Sequence, residues 1–190
     1  MSAGVFEDLE AAGYQVSSVA ELRNSGFRYR EAVPVLLRWL PRVATESERE
    51  EIVRALSVPW AQEALGPLIA QFSAEPVPAS PQGELVRWAV GNALEVLWDD
   101  RHFDELATLA RDARLGTARQ MLVLGLGKSK RREAVDVLVG LLDDPDVDGH
   151  AVKALGKLRA PASRSALLGK VNDKRAWVRK EAQRALAALG

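Results

Sequence analysis

The feature that most constrains this chain is an apolar frame that recurs along it. Val86, Val90, Ala93, Leu94 and Leu97 stand at i, i+4, i+7, i+8 and i+11. Val147, Ala151, Ala154, Leu155 and Leu158 repeat that spacing, as do Val178, Ala182, Ala185, Leu186 and Leu189. Such spacing puts all five side chains on one stripe of an α-helix. Ile52, Ala55 and Leu56, and Ala118, Leu122, Gly125 and Leu126, are partial copies. With the leucine at i+8 as anchor, the copies fall at Leu56, Leu94, Leu126, Leu155 and Leu186, separated by 38, 32, 29 and 31 residues. That is the period of helical solenoids. The residue before each anchor is small (Ala55, Ala93, Gly125, Ala154, Ala185), as a helix lying between two close neighbours requires.

Between successive anchors lies a second amphipathic helix, clearest at Ala134, Val137, Leu138, Leu141 and Leu142; others cover Ala64 to Phe72, Phe103 to Ala110 and Ala166 to Val171. Each unit is then a helical hairpin that cannot bury its own apolar face, and stacking hides that face. The expected fold is all-α: a right-handed α-solenoid (α-α superhelix) of about five hairpins. It is expected to be one domain over residues 1–190, with an N-terminal helical cap over 1–26. A Pro-rich loop over 73–83, carrying Pro76, Pro78 and Pro81, accounts for the longest interval. Ser18 to Glu21 and Ser47 to Glu50 read as capping boxes, and the Asp143–Asp146 and Asn172–Lys174 turns as helix caps.

The net charge of zero hides a polarity. Residues 1–110 hold 9 Lys+Arg against 17 Asp+Glu, while residues 111–190 hold 17 against 9. A field of this kind orients charged partners within about 10 Å in physiological salt. The absence of cysteine excludes disulfide and thiolate chemistry. No apolar run approaches the ~18 residues of a membrane helix. The first residues show no basic segment followed by an apolar one, so a cytoplasmic location is expected.

Asp173 to Leu189 and Asp146 to Leu158 are the segments in which the frame is most complete. In them the sequence resembles HEAT-like repeats, particularly those of phycobilisome lyase-like proteins. Trp88 to Leu94 and Ala118 to Leu122 are similar to segments of uncharacterised bacterial HEAT-repeat proteins. The resemblance covers residues ~27–190. It implies an Asp in the turn and an Arg early in the next helix, hydrogen-bonded as a ladder between units. Arg49, Arg87, Arg119 and Arg179 each lie seven residues before an anchor, but Asp148 holds that place in the fourth unit. The resemblance therefore implies an interrupted ladder there. It specifies architecture rather than activity.

Two motifs invite chemistry and fail on their own terms. Asp144 to Gly149 matches the opening of a calcium loop, yet the closing position is Leu155, a core anchor. Gly125-Leu126-Gly127-Lys128-Ser129 lacks the earlier glycine and the strand of a phosphate loop, and reads as a helix C-cap. His102 and His150 are not at metal-ligand spacing. No catalytic residue, cofactor or metal site is expected. The candidate partner-binding surface is basic. Lys128, Lys130, Arg131 and Arg132 cluster in one turn, and Lys157, Arg159 and Arg164 occupy the equivalent turn one repeat later. Trp39 and Trp88 sit at helical spacing and are expected in core or inter-repeat packing. Trp60 and Trp177 are expected to be exposed binding anchors.

The reading that follows is a non-catalytic protein-interaction scaffold, gripping a protein partner on a face lined by the second helices. The alternative is a nucleic-acid-binding protein or a HEAT-like-repeat DNA glycosylase, using the basic C-terminal part. The last helix, ending at Leu189-Gly190, is expected to leave one end of the stack open to docking.

Overall fold

The computed structural model describes residues 3–74, 76–77 and 79–190. Among these the chain forms twelve α-helices joined by turns and short 3-10 segments, with no strand. Two compact units divide it, residues 1–97 and 98–190.

The first unit holds α1 (Ala3–Ala11), α2 (Val19–Asn24), α3 (Ala32–Trp39), α4 (Glu46–Leu56), α5 (Leu65–Ala74) and α6 (Pro81–Val96). α3 pairs with α4 and α5 with α6, while α2, α4 and α6 stack in one layer. The frame residues Ile52, Ala55, Leu56, Val86, Val90, Ala93 and Leu94 are all buried. Burial of each large one stabilises by about 1.5–3 kcal/mol. Asp8 holds α1 on α3, accepting from Trp39 Nε1 at 2.6 Å and pairing with Arg38 at 2.9 Å. The Tyr29 hydroxyl donates to the Ala55 carbonyl at 2.9 Å, satisfying a group in the last turn of α4.

Two local expectations shift. The capping box of α4 is Thr45 with Glu48, not Ser47 with Glu50: both pairs have the required spacing, and the helix begins at Glu46. The Pro-rich loop is shorter than 73–83. Ser73 and Ala74 close α5, and Pro81 is the first residue of α6 behind the Ser80 cap, where its missing N–H costs nothing. Pro78 lies outside the described residues.

The second unit holds α7 (Phe103–Arg111), α8 (Gln120–Leu126), α9 (Glu133–Gly140), α10 (Asp148–Leu158), α11 (Arg164–Leu168) and α12 (Ala176–Ala187). The hairpins are α7/α8, α9/α10 and α11/α12, and α8, α10 and α12 stack as a layer. Leu126 and Leu155 are fully buried, whereas Leu186 on the last helix is half-buried. The last helix, α12, is paired with α11.

Small residues set the stacking distance. A Cβ on Gly127 would lie 2.9 Å from Ala154 Cα, and one on Gly156 would lie 3.0 Å from Ala185 Cβ. Gly127 caps α8 with right-handed dihedrals (φ −68°, ψ −3°). It is glycine because the next helix presses on it, not because its backbone demands it. A Cβ on Gly125 would likewise overlap the Trp98 ring.

Within the second unit charged pairs link successive repeats, with one rung reversed in charge. Arg119 is fully buried, donating to the Gly116 and Ala110 carbonyls at 2.9 and 3.1 Å and pairing with Asp144 at 2.8 Å. Arg87 bonds the Pro76 carbonyl at 2.7 Å, and Arg179 the Asp173 carbonyl at 2.8 Å. Asp148 replaces an arginine and is met by cations instead: Lys170 at 3.1 Å and Arg175 at 2.5 Å. The interruption inferred from sequence is therefore corrected to an inversion.

Candidate functional site

The close approach of Gly156 to Ala185 brings α10 and α12 together and leaves a groove along their outer face. The groove has a volume of about 470 Å³ and is lined by Lys153, Gly156, Lys157 and Arg159 from α10 and its end, and Glu181, Arg184, Ala185 and Ala188 from α12 and its end. Its floor is small and apolar and its rims carry four cations against one carboxylate. Glu181 is engaged with Arg184, 2.8 Å away at i,i+3.

Arg159 occupies an unusual place. It ends α10 in the left-handed region (φ 50°, ψ 36°), the only non-glycine residue with positive φ among the described residues. Glycine is the usual occupant of such a helix end, because a Cβ crowds the following carbonyl.

The groove joins two of the sequence-predicted residues, Lys157 and Arg159, to two that were missed, Lys153 and Arg184. Both missed residues stand two positions before their anchors, so carrying the frame to its polar positions finds them. The other predicted cations are placed differently. Arg131 is packed down, its guanidinium 4.6 Å from the Phe103 ring and 2.9 Å from Glu133. Lys130 is fixed through its backbone N–H, which donates to Asp100 at 2.8 Å. Lys128 and Arg132 are exposed on the same turn. Arg164 donates to the Gly190 carbonyl, so it ties down the segment after α12. The groove runs between the anchor-bearing helices, not along the intervening helices α7, α9 and α11.

Trp177 is exposed (45%) at the start of α12. Its ring lies over Gly149, where a Cβ would overlap it, and meets the His150 ring edge-on at 5.6 Å. Burial, with Lys153 nearby, pushes the His150 imidazole down, against the opposing charge of Asp148. Trp60 belongs to the first unit and is half-buried rather than exposed, with Tyr29 edge-on at 5.7 Å. Trp88 on α6 packs between repeats rather than in the core, 43% exposed and 5.8 Å from the Arg54 guanidinium of α4. Its position, six before Leu94, lies outside the frame.

The calcium-loop carboxylates are spoken for by cations: Asp144 by Arg119, and Asp148 by Lys170 and Arg175. Burial raises the Asp148 carboxyl, but its hydrogen bonds with Arg175 and Lys170 more than reverse this and leave it below the usual range. Asp173 is held at about 2, first by its hydrogen bond with Arg175. Neither Asp144 nor Asp173 caps the next helix by itself. Each folds an Asx turn, accepting from the backbone of Asp146 at 3.1 Å and Arg175 at 2.9 Å. None of the described helices is long and apolar enough to cross a membrane.

In the first unit the corresponding frame positions of α4 and α6 line a smaller hollow of about 180 Å³, with Arg54, Ser57, Ala89 and Asn92. A larger hollow of about 610 Å³ lies among the turns around Tyr14, Val16, Leu22 and Phe27, without a comparable gathering of like charges.

Residues 104–187 match the family model of HEAT repeats. No curated protein sequence matches the chain. Among solved structures it is similar to the designed armadillo repeat protein YIII(Dq)4CqI, at 19% identity and a TM-score of 0.58, covering 99% of this chain and 92% of that one. It is also similar to the designed armadillo repeat protein YIII(Dq.V1)4CPAF in complex with peptide (KR)4, at 19% identity, a TM-score of 0.60 and the same coverage. At that identity the likeness shows the fold alone, which is of the α-solenoid class. These matches name helical repeats in general and do not single out the phycobilisome lyase type. The recurrent frame and the layered hairpins agree with that match, and residues 104–187 are HEAT-like repeats.

Proposed function

We propose that the protein is a non-catalytic interaction scaffold whose α10/α12 groove holds an acidic segment of a partner protein. The observation that carries this reading is the convergence of Lys153, Lys157, Arg159 and Arg184 on one groove with a small apolar floor. Opposite charge steers encounter and fixes register, while the floor accepts the backbone of an extended segment. The designed armadillo protein similar to this chain is in complex with a (KR)4 peptide. Here the groove is cationic, so charge complementarity asks for an acidic peptide instead. Glu181 in the groove and the exposed Asp143 beyond α9 disfavour a long polyanion, and Arg131 and Arg164 are committed to intramolecular contacts.

Fluorescence anisotropy with a labelled oligo-glutamate peptide and with labelled single- and double-stranded DNA, each at low and physiological salt, tests the reading. The peptide is expected to bind, to weaken with salt, and to be released by the Lys153→Glu, Arg184→Glu double variant with its circular dichroism unchanged. DNA bound more tightly than the peptide overturns the protein-partner reading in favour of nucleic acid.

A further inference from the structure

We infer that the Arg159 end of the groove is a phosphoryl subsite, seating a phosphorylated serine or threonine of the acidic partner segment among Arg159, Lys153 and Arg184. The inference rests on the reading of the groove as a peptide site and goes beyond it by naming the group recognised.

The first argument is charge density. Four cationic side chains surround a space of about 470 Å³ that contains a single carboxylate, itself engaged with Arg184 Nη1. A lone carboxylate from a partner brings one negative charge. A phosphoserine brings about 1.5 to 2 charges on three acceptor oxygens at one point, and satisfies more of the converging donors. A guanidinium carries five N–H donors, so the single pair with Glu181 leaves most of the Arg184 fork for a ligand.

The second argument is the backbone at Arg159. Gly13, Gly26, Gly116 and Gly190 take every other positive φ among the described residues. At the end of α10 the chain instead places an arginine in that conformation, against local preference, on the rim of the groove. Backbone strain of this kind is kept where the side chain has a use. The strained residue and the cation cluster are at the same place.

The third argument is room. Gly156, Ala185 and Ala188 form the small apolar part of the lining, so no large apolar side chain fills the groove.

The test is a titration of the full chain with labelled acidic peptides identical except at one central site, which holds serine, phosphoserine or a Glu-Glu pair matching the phosphoserine charge. The phosphoserine peptide is expected to bind about tenfold more tightly than the Glu-Glu peptide. Arg159→Gly is expected to bring that ratio to about one while raising Tm, because glycine relieves the left-handed backbone. Loss of the preference in a variant that is more stable than the parent cannot come from unfolding. Equal affinity for the phosphoserine and Glu-Glu peptides, or a preference that survives Arg159→Gly, overturns the phosphoryl subsite and leaves the acidic-peptide groove standing. Failure of all three peptides to bind overturns the groove reading itself.

Discussion

Two glycine-to-alanine substitutions in the second unit have opposite predicted signs. At Gly127 the new Cβ would stand 2.9 Å from Ala154 Cα and 3.1 Å from both its Cβ and its carbonyl oxygen. These are largely backbone atoms that cannot rotate away, so α8 and α10 must separate by several tenths of an ångström. Overpacking of this kind costs about 1–3 kcal/mol. The reduced freedom of the unfolded chain offsets about 0.4–1 kcal/mol, since the φ of −68° already suits alanine. The net expectation for Gly127→Ala is a loss of about 1–2 kcal/mol. Gly140, the last residue of α9, has nothing within 4 Å of the corresponding Cβ. There only the favourable term operates, and Gly140→Ala is expected to stabilise by about 0.5–1 kcal/mol. Equilibrium urea unfolding followed by tryptophan fluorescence measures both. A shift of 1 kcal/mol corresponds to about 4–8 °C in Tm for a unit of this size. Gly127→Ala as stable as the parent, or more so, would refute the claim that direct helix contact sets the repeat spacing.

Two further outcomes follow from the charged ladder. Asp148→Arg restores the arginine of the other repeats but adds a third cation beside Lys170 and Arg175, and breaking this largely buried pairing is expected to cost about 3–5 kcal/mol; an unchanged Tm would show that the inverted rung carries no weight. Asp148 and Asp173 both have folded-state pKa values below the ordinary carboxylate value of about 3.9, with Asp173 at about 2. Their contribution is complete above the unfolded value and is lost as pH falls through the window from about 4 to about 2. A Tm–pH profile of the parent should therefore fall more steeply in that window than that of Asp173→Asn, and parallel profiles would contradict the assignment.

The sequence made the layered core legible because the frame repeats at helical spacing. Val86, Val90 and Leu94 are buried where the period put them, and so are Ala151, Ala154 and Leu155. Helical spacing left Trp88 open between core and inter-repeat packing, and its position outside the frame goes with the second, against Arg54 of α4. Gly127 and Gly156 are ordinary helix-end residues until the register between neighbouring helices is known, so their packing on Ala154 and Ala185 could not be read. The partners of Asp148 lie 22 and 27 residues away, and nothing local announces them. Of the residues lining the groove, Lys157 and Arg159 stand at a helix end, where charge clusters are legible in sequence, whereas Lys153 and Arg184 lie on helix faces and come together only once the helices stack. Arg131 and Arg164, clustered with other cations in sequence, have guanidinium groups engaged inside the fold, which sequence clustering does not reveal.

The most direct test of the binding groove is a two-dimensional amide NMR titration of the labelled protein with the acidic peptide. The groove predicts that the largest shifts fall at residues 153–159 on α10 and 181–188 on α12, with α7 and α9 unmoved and the perturbations abolished by the Lys153→Glu, Arg184→Glu variant. Shifts centred on residues 128–132 instead, or spread without a focus, would contradict it.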